Sequence, residues 1–380
     1  MGPVSPTIKD VARLANVSVA TVSRALNGRE NVAEAVRKRV LEIAEELDYS
    51  PHHAARCLSH GRTHTVGVVL PDLPCEFFAR LMCGIDAVAR ERGLQLLVSG
   101  HHRSMESQAA ALRVMRGRVD GVLAISPYAG RDVATARLPR SLPVLLLDSD
   151  PAAGGAGGLS IDNHAGALLL MRHLVGCGYK RIAFISGRRP HFNAEERLRG
   201  YLDALAELLP RATPWVVEGD FDVQSGYQAG EALLASAQRP DAVFAANDMM
   251  ALGCMFAFQR AGLQVPGDIG VAGFNDIPIA GHASPPLTTV RLDIAAMGAE
   301  AFAMLLDHMG ERREPERRVL QPQLVARGSS PASARSNTSR LSLPRSSSRR
   351  VVAGASPAGV RLIRKDQEPA PGQPLASTAT

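Results

Sequence analysis

Arg24 follows Val19 and Ala20 within one stretch whose polar and apolar residues alternate at helical spacing. An arginine fork can give two hydrogen bonds to guanine O6 and N7, and small apolar side chains such as Val19 and Ala20 can touch thymine methyl groups. Thr21, Ser23 and Asn27 share the outward face and carry short polar groups suited to phosphate oxygens, which set register rather than sequence. The first thirty residues hold Lys9, Arg13, Arg24 and Arg29 against Asp10 and Glu30, a small excess placed where a polyanion would dock. Other chemistry is poorly represented. There is no nucleophile elbow, no H-E-x-x-H and no P-loop. His52-His53 and His101-His102 are adjacent pairs, which rarely face one metal, and read as surface or DNA-proximal histidines. The run Gly154-Gly155-Ala156-Gly157-Gly158 does not open a helix after a strand and reads as a flexible loop. No enzyme, metal or cofactor is expected.

The elements that must position these residues are legible. Thr7 is an N-cap with Asp10 three positions on, opening a helix that runs to Ala15. A tight turn over Ala15-Asn16-Val17 leads to Ser18, which caps a second helix from Val19 to Asn27, closed by Gly28. Ile8, Val11, Ala12, Ala15, Val17, Val22, Ala25 and Leu26 can close on one another, and a third helix at Ala33–Leu47 offers Val36, Val40, Ile43 and Leu47. Two short helices across such a turn form a helix-turn-helix, whose second helix fits the major groove. Ser50-Pro51 then starts a segment to Leu58 of about two turns, too short to be stable alone.

From Thr65 onward short apolar runs alternate with helical stretches, among them strands at Val66–Leu70, Gly121–Ile125, Val144–Leu147, Ile182–Ile185 and Ala242–Ala245. Such alternation implies α/β architecture: parallel sheets with helices on both faces, in two lobes, with ligand groups on loops at the carboxyl ends of strands. The whole chain has 380 residues and a net charge of +6. That excess lies in residues 329–380, where Arg335, Arg340, Arg345, Arg349, Arg350, Arg361, Arg364 and Lys365 face only Asp366 and Glu368. The Ser-, Pro-, Ala- and Gly-rich composition of this tail predicts disorder. Five cysteines without a C-x-x-C pair fit a reducing compartment. No apolar run approaches the ~18 residues of a membrane span and no signal sequence opens the chain, so a soluble cytoplasmic protein is expected.

The string TIKDVARLANVSVATVSRALNG resembles, nearly residue for residue, the headpiece of the lactose/galactose-repressor family of bacterial regulators. The resemblance continues through Leu47-Asp48-Tyr49-Ser50-Pro51 and Ala54-Ala55-Arg56-Cys57-Leu58, then to about Arg327. It implies that Val19, Ala20 and Arg24 read bases. It also implies that a hinge helix folds on the operator, placing Ala54 and Ala55 in the minor groove and wedging Leu58 between base steps. In the body, Ser160-Ile161-Asp162-Asn163, Arg197-Leu198-Arg199-Gly200-Tyr201, Ala246-Asn247-Asp248 and Gly273-Phe274-Asn275-Asp276 follow in family order. The implied fold is that of periplasmic sugar-binding proteins, with the chain crossing between lobes three times.

The domains expected are a headpiece at 1–49, a hinge helix and linker at 50–64 and an effector-binding and dimerisation domain at 65–328. The lobes of the last are 65–163 plus 291–328 and 164–290, and the tail is 329–380. By the resemblance, the effector contacts are Phe77 and Phe78 as stacking walls, with Asp148, His191, Asn193, Arg197, Phe221, Asn247 and Asn275. Asp162 and Asn163 read as structural. Two departures stand out: Asn275 replaces an aspartate of many sugar-binding members, and Cys75-Glu76 replaces a common Asn-Pro. With Arg188, Arg189, His191 and Arg197 expected nearby, the lost carboxylate turns attention to sugar acids and sugar phosphates beside neutral sugars. The expected protein is a homodimeric repressor of a pseudo-palindromic operator, controlled by a small carbohydrate-like effector. A solute-binding protein of a sugar transport system shares the two-lobed fold, but the headpiece argues against it.

Overall fold

Helical spacing of apolar residues dictates the N-terminal unit, which covers Met1–His64. In the computed structural model, whose described residues are 6–26, 31–49, 62–71, 76–101, 105–125, 142–149, 157–188, 190–311, 317–331 and 361–363, three helices form there. These are α1 (Ile8–Ala15), α2 (Val19–Leu26) and α3 (Glu34–Glu46). The Thr7 amide and hydroxyl both donate to the Asp10 carboxylate, at 3.0 and 2.8 Å. Those bonds hold the Asp10 carboxyl below its ordinary value. Asn16 ends α1 in the left-handed conformation at φ 52°, and the Thr21 amide donates to Ser18 Oγ at 3.1 Å to start α2. Val11, Val22 and Val40 are fully buried at the centre, ringed by Ala12, Ala15, Ala25 and Ala44. The expected end of α2 at Asn27-Gly28 and the hinge segment lie outside the described residues.

The second unit covers Thr65–Thr380. Its elements in order are β1 (Thr65–Pro71), α4 (Glu76–Glu91), β2 (Gln95–His101), α5 (Met105–Met115), β3 (Gly121–Ile125), β4 (Val144–Leu147), β5 (Gly157–Ile161), α6 (Asn163–Gly176), β6 (Ile182–Ser186) and α7 (Phe192–Leu208). Next come β7 (Trp215–Glu218), α8 (Val223–Leu234), β8 (Ala242–Ala245), α9 (Asp248–Arg260), β9 (Gly270–Ala272), α10 (Pro278–His282), β10 (Thr289–Arg291), α11 (Ile294–Glu311), β11 (Arg317–Leu320), β12 (Gln323–Val325) and β13 (Arg361–Ile363).

One sheet has the order β11-β5-β4-β3-β1-β2 and the other β13-β7-β6-β8-β9. Every pairing in both is parallel. Strands β3, β4, β6 and β8 are buried along their whole length, which is why they read as unbroken apolar runs. The antiparallel pair β10-β12 forms a small sheet of its own, bridged to the end of β9 through Ala272 and Thr288. The chain passes between lobes after β5, around β10 and again between β11 and β12, which makes three crossings. Helix α11 returns to the first lobe and packs on α4. A Cβ on Gly84 would lie 1.8 Å from the Ala295 carbonyl oxygen, so only glycine permits that approach. No helix among the described residues is long and apolar enough to cross a membrane.

Two expectations are corrected. Gly157 and Gly158 are not loop but the start of β5, held by β4 on one side and β11 on the other. The fold also does not end at 328. Ser329 Oγ donates to the Val271 carbonyl at 2.6 Å and accepts from the Thr288 amide at 2.8 Å, and His173 Nε2 lies 2.8 Å from the Ser330 carbonyl. Both serines are fully buried against the second lobe, so the chain returns there after β12 instead of staying with the first. Farther on, Arg361–Ile363 adds to the edge of β7 as β13. Averaged composition hides both features, because a pair of buried hydroxyls and a three-residue strand leave no compositional trace.

Candidate functional site

At the headpiece, α2 places its expected readers on the surface. Val19, Ala20 and Arg24 are exposed, while Thr21 and Ser23 are half-buried. Val22 and Ala25 anchor the opposite face of the helix in the core. The Thr21 hydroxyl lies 2.9 Å from Ser18 Oγ, so it helps secure the helix start from which Val19 and Ala20 project. Asn27, Ala54, Ala55 and Leu58 lie outside the described residues.

The second site assembles at the carboxyl ends of the strands, between the lobes. Arg197, on α7, is almost completely buried. Its Nε donates to Asn163 Oδ1 at 2.7 Å, its Nη1 donates to the Ala246 carbonyl at 2.5 Å, and its guanidinium lies 3.9 Å from the centre of the Phe274 ring. Nη2 has no hydrogen-bond partner among the described residues. One turn earlier on α7, Asn193 Nδ2 donates to Asp148 Oδ2 at 2.5 Å, and Asn193 Oδ1 accepts from Asn163 Nδ2 at 3.1 Å. Asp148 follows β4 of the first lobe, so the Asn193–Asp148 bond joins the lobes.

Asn247 caps α9, accepting from the Met250 amide at 2.9 Å, and its Nδ2 donates to the Phe221 carbonyl at 2.8 Å. The Phe221 ring rests 4.8 Å from that of His191, tilted by 50°. Gly187 makes room for it, because a Cβ there would lie 2.2 Å from the Phe221 ring. At the rim, Arg188 Nη2 pairs with Asp220 at 3.0 Å.

Burial governs the charges. It pulls the Arg197 guanidinium down to about 10, against the opposing pull of Asp148 and Asp248. It pushes the Asp148 carboxyl up, with Arg197 and the Asn193 bond acting the other way. Asp248, fully buried and accepting from Thr289 Oγ1 at 2.5 Å and the Ile277 amide at 2.9 Å, is pushed up to about 6 by burial. His191 falls to about 3 because of burial and the nearby Arg197, so its ring is neutral.

Two features mark this cluster as built for something other than stability. Asp148 Oδ1, His191 Nδ1 and Asn275 Oδ1 are buried without a hydrogen-bond partner, a condition that costs about 1–3 kcal/mol per group. Asp148, Phe221 and Asn275 also hold positive φ angles of 55°, 64° and 114°. Non-glycine residues adopt such angles at a cost of about 1–3 kcal/mol, at ligand sites as well as at helix ends such as Asn16.

Of the nine residues expected here, six join this cluster, namely Asp148, His191, Asn193, Arg197, Phe221 and Asn247, and Asn275 directly follows Phe274, whose ring carries the Arg197 guanidinium. Asn193 and Asn247 spend both ends of their amides on protein partners. Phe77 packs in the hydrophobic core with Phe78 edge-on at 5.3 Å, in the same apolar cluster that holds Phe274 and is flanked by Phe221. Asp162 is structural as expected, its Oδ1 accepting from the Ala165 amide at 2.9 Å. Asn163 and Phe274 were missed. Their roles arise only from contacts with residues far along the chain.

A helix-turn-helix unit followed by a two-lobed domain with a buried, strained polar cleft defines a ligand-responsive DNA-binding regulator. Residues 7–52 match the model of bacterial regulatory proteins of the lacI family, and residues 171–330 match a periplasmic binding protein-like domain. The HTH-type transcriptional repressor PurR of Aliivibrio fischeri (strain MJ11) is 35% identical over 330 residues, covering 85% of this chain and 98% of that protein. PurR of Yersinia pestis (strain Pestoides F) is 35% identical over 328 residues, covering 85% and 96%. Among solved structures, the lac repressor dimer bound to operator and the anti-inducer ONPF is 30% identical with a TM-score of 0.77, covering 86% of this chain and 99% of that one. The complex of the regulator CelR with cellobiose is 32% identical with a TM-score of 0.63, covering 85% and 99%. The chain belongs to the lacI family of bacterial regulatory proteins. It is a DNA-binding transcriptional repressor and not an enzyme.

Proposed function

We propose that the repressor binds a neutral, polyhydroxylated effector, a sugar, in the cleft around Arg197. The observation that carries this is the pair of buried, unpartnered acceptors Asp148 Oδ1 and Asn275 Oδ1. A ligand that satisfies them must bring donors, while Arg197 Nη2 asks for an acceptor. Hydroxyl groups supply both. A sugar acid could meet Arg197 with its carboxylate, but that added negative charge would enter a buried cluster where Asp148 already opposes Arg197. This moves the balance away from the acidic effector that the Asn275 departure first suggested. The CelR neighbour, solved with cellobiose, supports a carbohydrate.

A planar heterocycle such as a purine base is the second reading, favoured by the Phe221 and His191 rings at 4.8 Å. Its ring N–H groups could donate to the same two acceptors. Calorimetric titration of the full chain with D-ribose, D-glucose, D-gluconate and hypoxanthine tests these readings. Binding of a neutral sugar, lost in Arg197→Ala, is the expected result. Binding of gluconate or hypoxanthine with no neutral sugar would overturn it.

On DNA, the reading is a homodimer in the cytoplasm whose two headpieces meet the halves of a pseudo-palindromic operator, as supported by the lac repressor dimer bound to its operator. Val19, Ala20 and Arg24 read base edges there, with Thr21, Ser23 and Asn27 at phosphates. The hinge contributes Ala54, Ala55 and the wedge Leu58. Leu58→Ala lowers specific affinity without changing the fold, and unchanged affinity at fixed salt would remove the wedge.

A further inference from the structure

We propose that Asn163 is a positioning residue of the effector site, a two-sided amide that ties the Arg197 fork to the contact between the lobes. The proposal rests on reading Arg197 and Asp148 as ligand-facing groups. Asn163 is the first residue of α6, directly after the first crossing between lobes, and is 2% exposed. Its Nδ2 donates to the Ile161 carbonyl at 3.2 Å and to Asn193 Oδ1 at 3.1 Å, while its Oδ1 accepts from Arg197 Nε at 2.7 Å. The amide orientation is forced, because a backbone carbonyl can only accept and a guanidinium can only donate. The same logic then fixes Asn193. With its oxygen taken by Asn163, its nitrogen must face outward, and it donates to Asp148 Oδ2 at 2.5 Å.

One side chain thus touches three parts of the machinery. It holds the last residue of β5, which belongs to the first lobe. It also holds two residues of α7 spaced one turn apart, which share a helix face. Asn193 carries the connection back across the cleft to the first lobe, and Arg197 carries it to the ligand. Because Nε and Nη1 are both engaged, the guanidinium plane is fixed and the free Nη2 is aimed. A ligand that draws on Nη2 therefore acts on the same amide that sets the Asn193–Asp148 bond. Neither alanine nor aspartate reproduces this: alanine leaves the Arg197 Nε–H and Asn193 Oδ1 buried without partners, and aspartate keeps the acceptor while losing the donor.

That last distinction supplies a test needing no ligand, so it stands or falls separately from the effector reading. Side-chain 15N NMR of the full chain reports the Arg197 Nε–H and the Asn193 Nδ2–H protons. In wild type both exchange slowly. In Asn163→Ala both exchange faster by about tenfold or more, the change expected for a lost charge-assisted hydrogen bond. In Asn163→Asp the Arg197 signal stays protected while the Asn193 signal loses protection, because Asn193 Oδ1 then faces a carboxylate oxygen, and the repulsion between two acceptors loosens the side chain from Asp148. If both keep wild-type protection in Asn163→Ala, the proposal fails. Should that variant not fold, Asn163→Asp decides alone, and an Asn193 signal that remains protected overturns the proposal.

Discussion

The headpiece and the effector cleft solve opposite problems. Val19, Ala20 and Arg24 stand exposed on α2, and the helix owes its stability to Val22 and Ala25 on its other face. The face expected to read DNA and the face that folds are separate there. In the cleft, Arg197, Asn193, Asn163 and Asn247 are buried and bonded to one another or to main chain, so the side chains of the candidate site also hold the protein together. The difference teaches where substitutions are cheap. Surface changes away from packed features move stability by about 0.5 kcal/mol at most, whereas breaking a buried charge network costs about 3–5 kcal/mol.

The largest expected effect follows from that contrast. Arg197→Ala should abolish effector binding by calorimetry and also destabilise the second unit by roughly 3 kcal/mol, a fall of about 6–12 °C in Tm. A variant as stable as wild type would erase the distinction between the two regions. Arg24→Ala should weaken operator binding by about 1–3 kcal/mol and relax preference at one base pair, with Tm unchanged. Measured by anisotropy at fixed salt, a uniform loss across all sequences would make Arg24 a phosphate contact instead.

A subtler prediction uses two buried groups that titrate in opposite senses. His191, held near 3, binds fewer protons folded than unfolded, so between about pH 3 and pH 6.5 it makes stability rise with pH. Asp248, pushed up to about 6, binds more protons folded, so from about pH 4 to pH 6 it makes stability fall as pH rises. The two slopes oppose each other. Urea unfolding across this window should show a steeper rise with pH in Asp248→Asn and a weakened or reversed one in His191→Gln. Parallel profiles would show that neither group is buried as described. The smallest effect concerns the edge of the second sheet. Leu362→Pro removes an N–H that β13 can give to its ladder, and should speed hydrogen exchange in β7 while shifting Tm by about 1 °C.

Much of this was legible in the sequence for physical reasons. Capping residues Thr7 and Ser18 announce helices locally, and unbroken apolar runs such as Val144–Leu147 announce buried parallel strands. The cleft residues were legible only through their order along the chain, since Arg197 alone looks like any surface arginine. What escaped was whatever depends on distant partners. Asn163 reads as the residue after a helix cap, and its bonds to Asn193 and Arg197 reach 30 and 34 positions away. Gly157-Gly158 has no strand signature, yet β4 and β11 supply its ladder.

The central claim is that reading and sensing are divided between an exposed Arg24 and a buried Arg197. Its most direct test is operator binding by wild type, Arg24→Ala and Arg197→Ala, each with and without the sugar that binds the wild-type cleft. The account predicts that Arg24→Ala loses operator affinity while still binding the sugar, and that folded Arg197→Ala binds operator within about twofold of wild type and no longer responds to sugar. An Arg197→Ala protein that still responds, or an Arg24→Ala protein with full operator affinity, would contradict it.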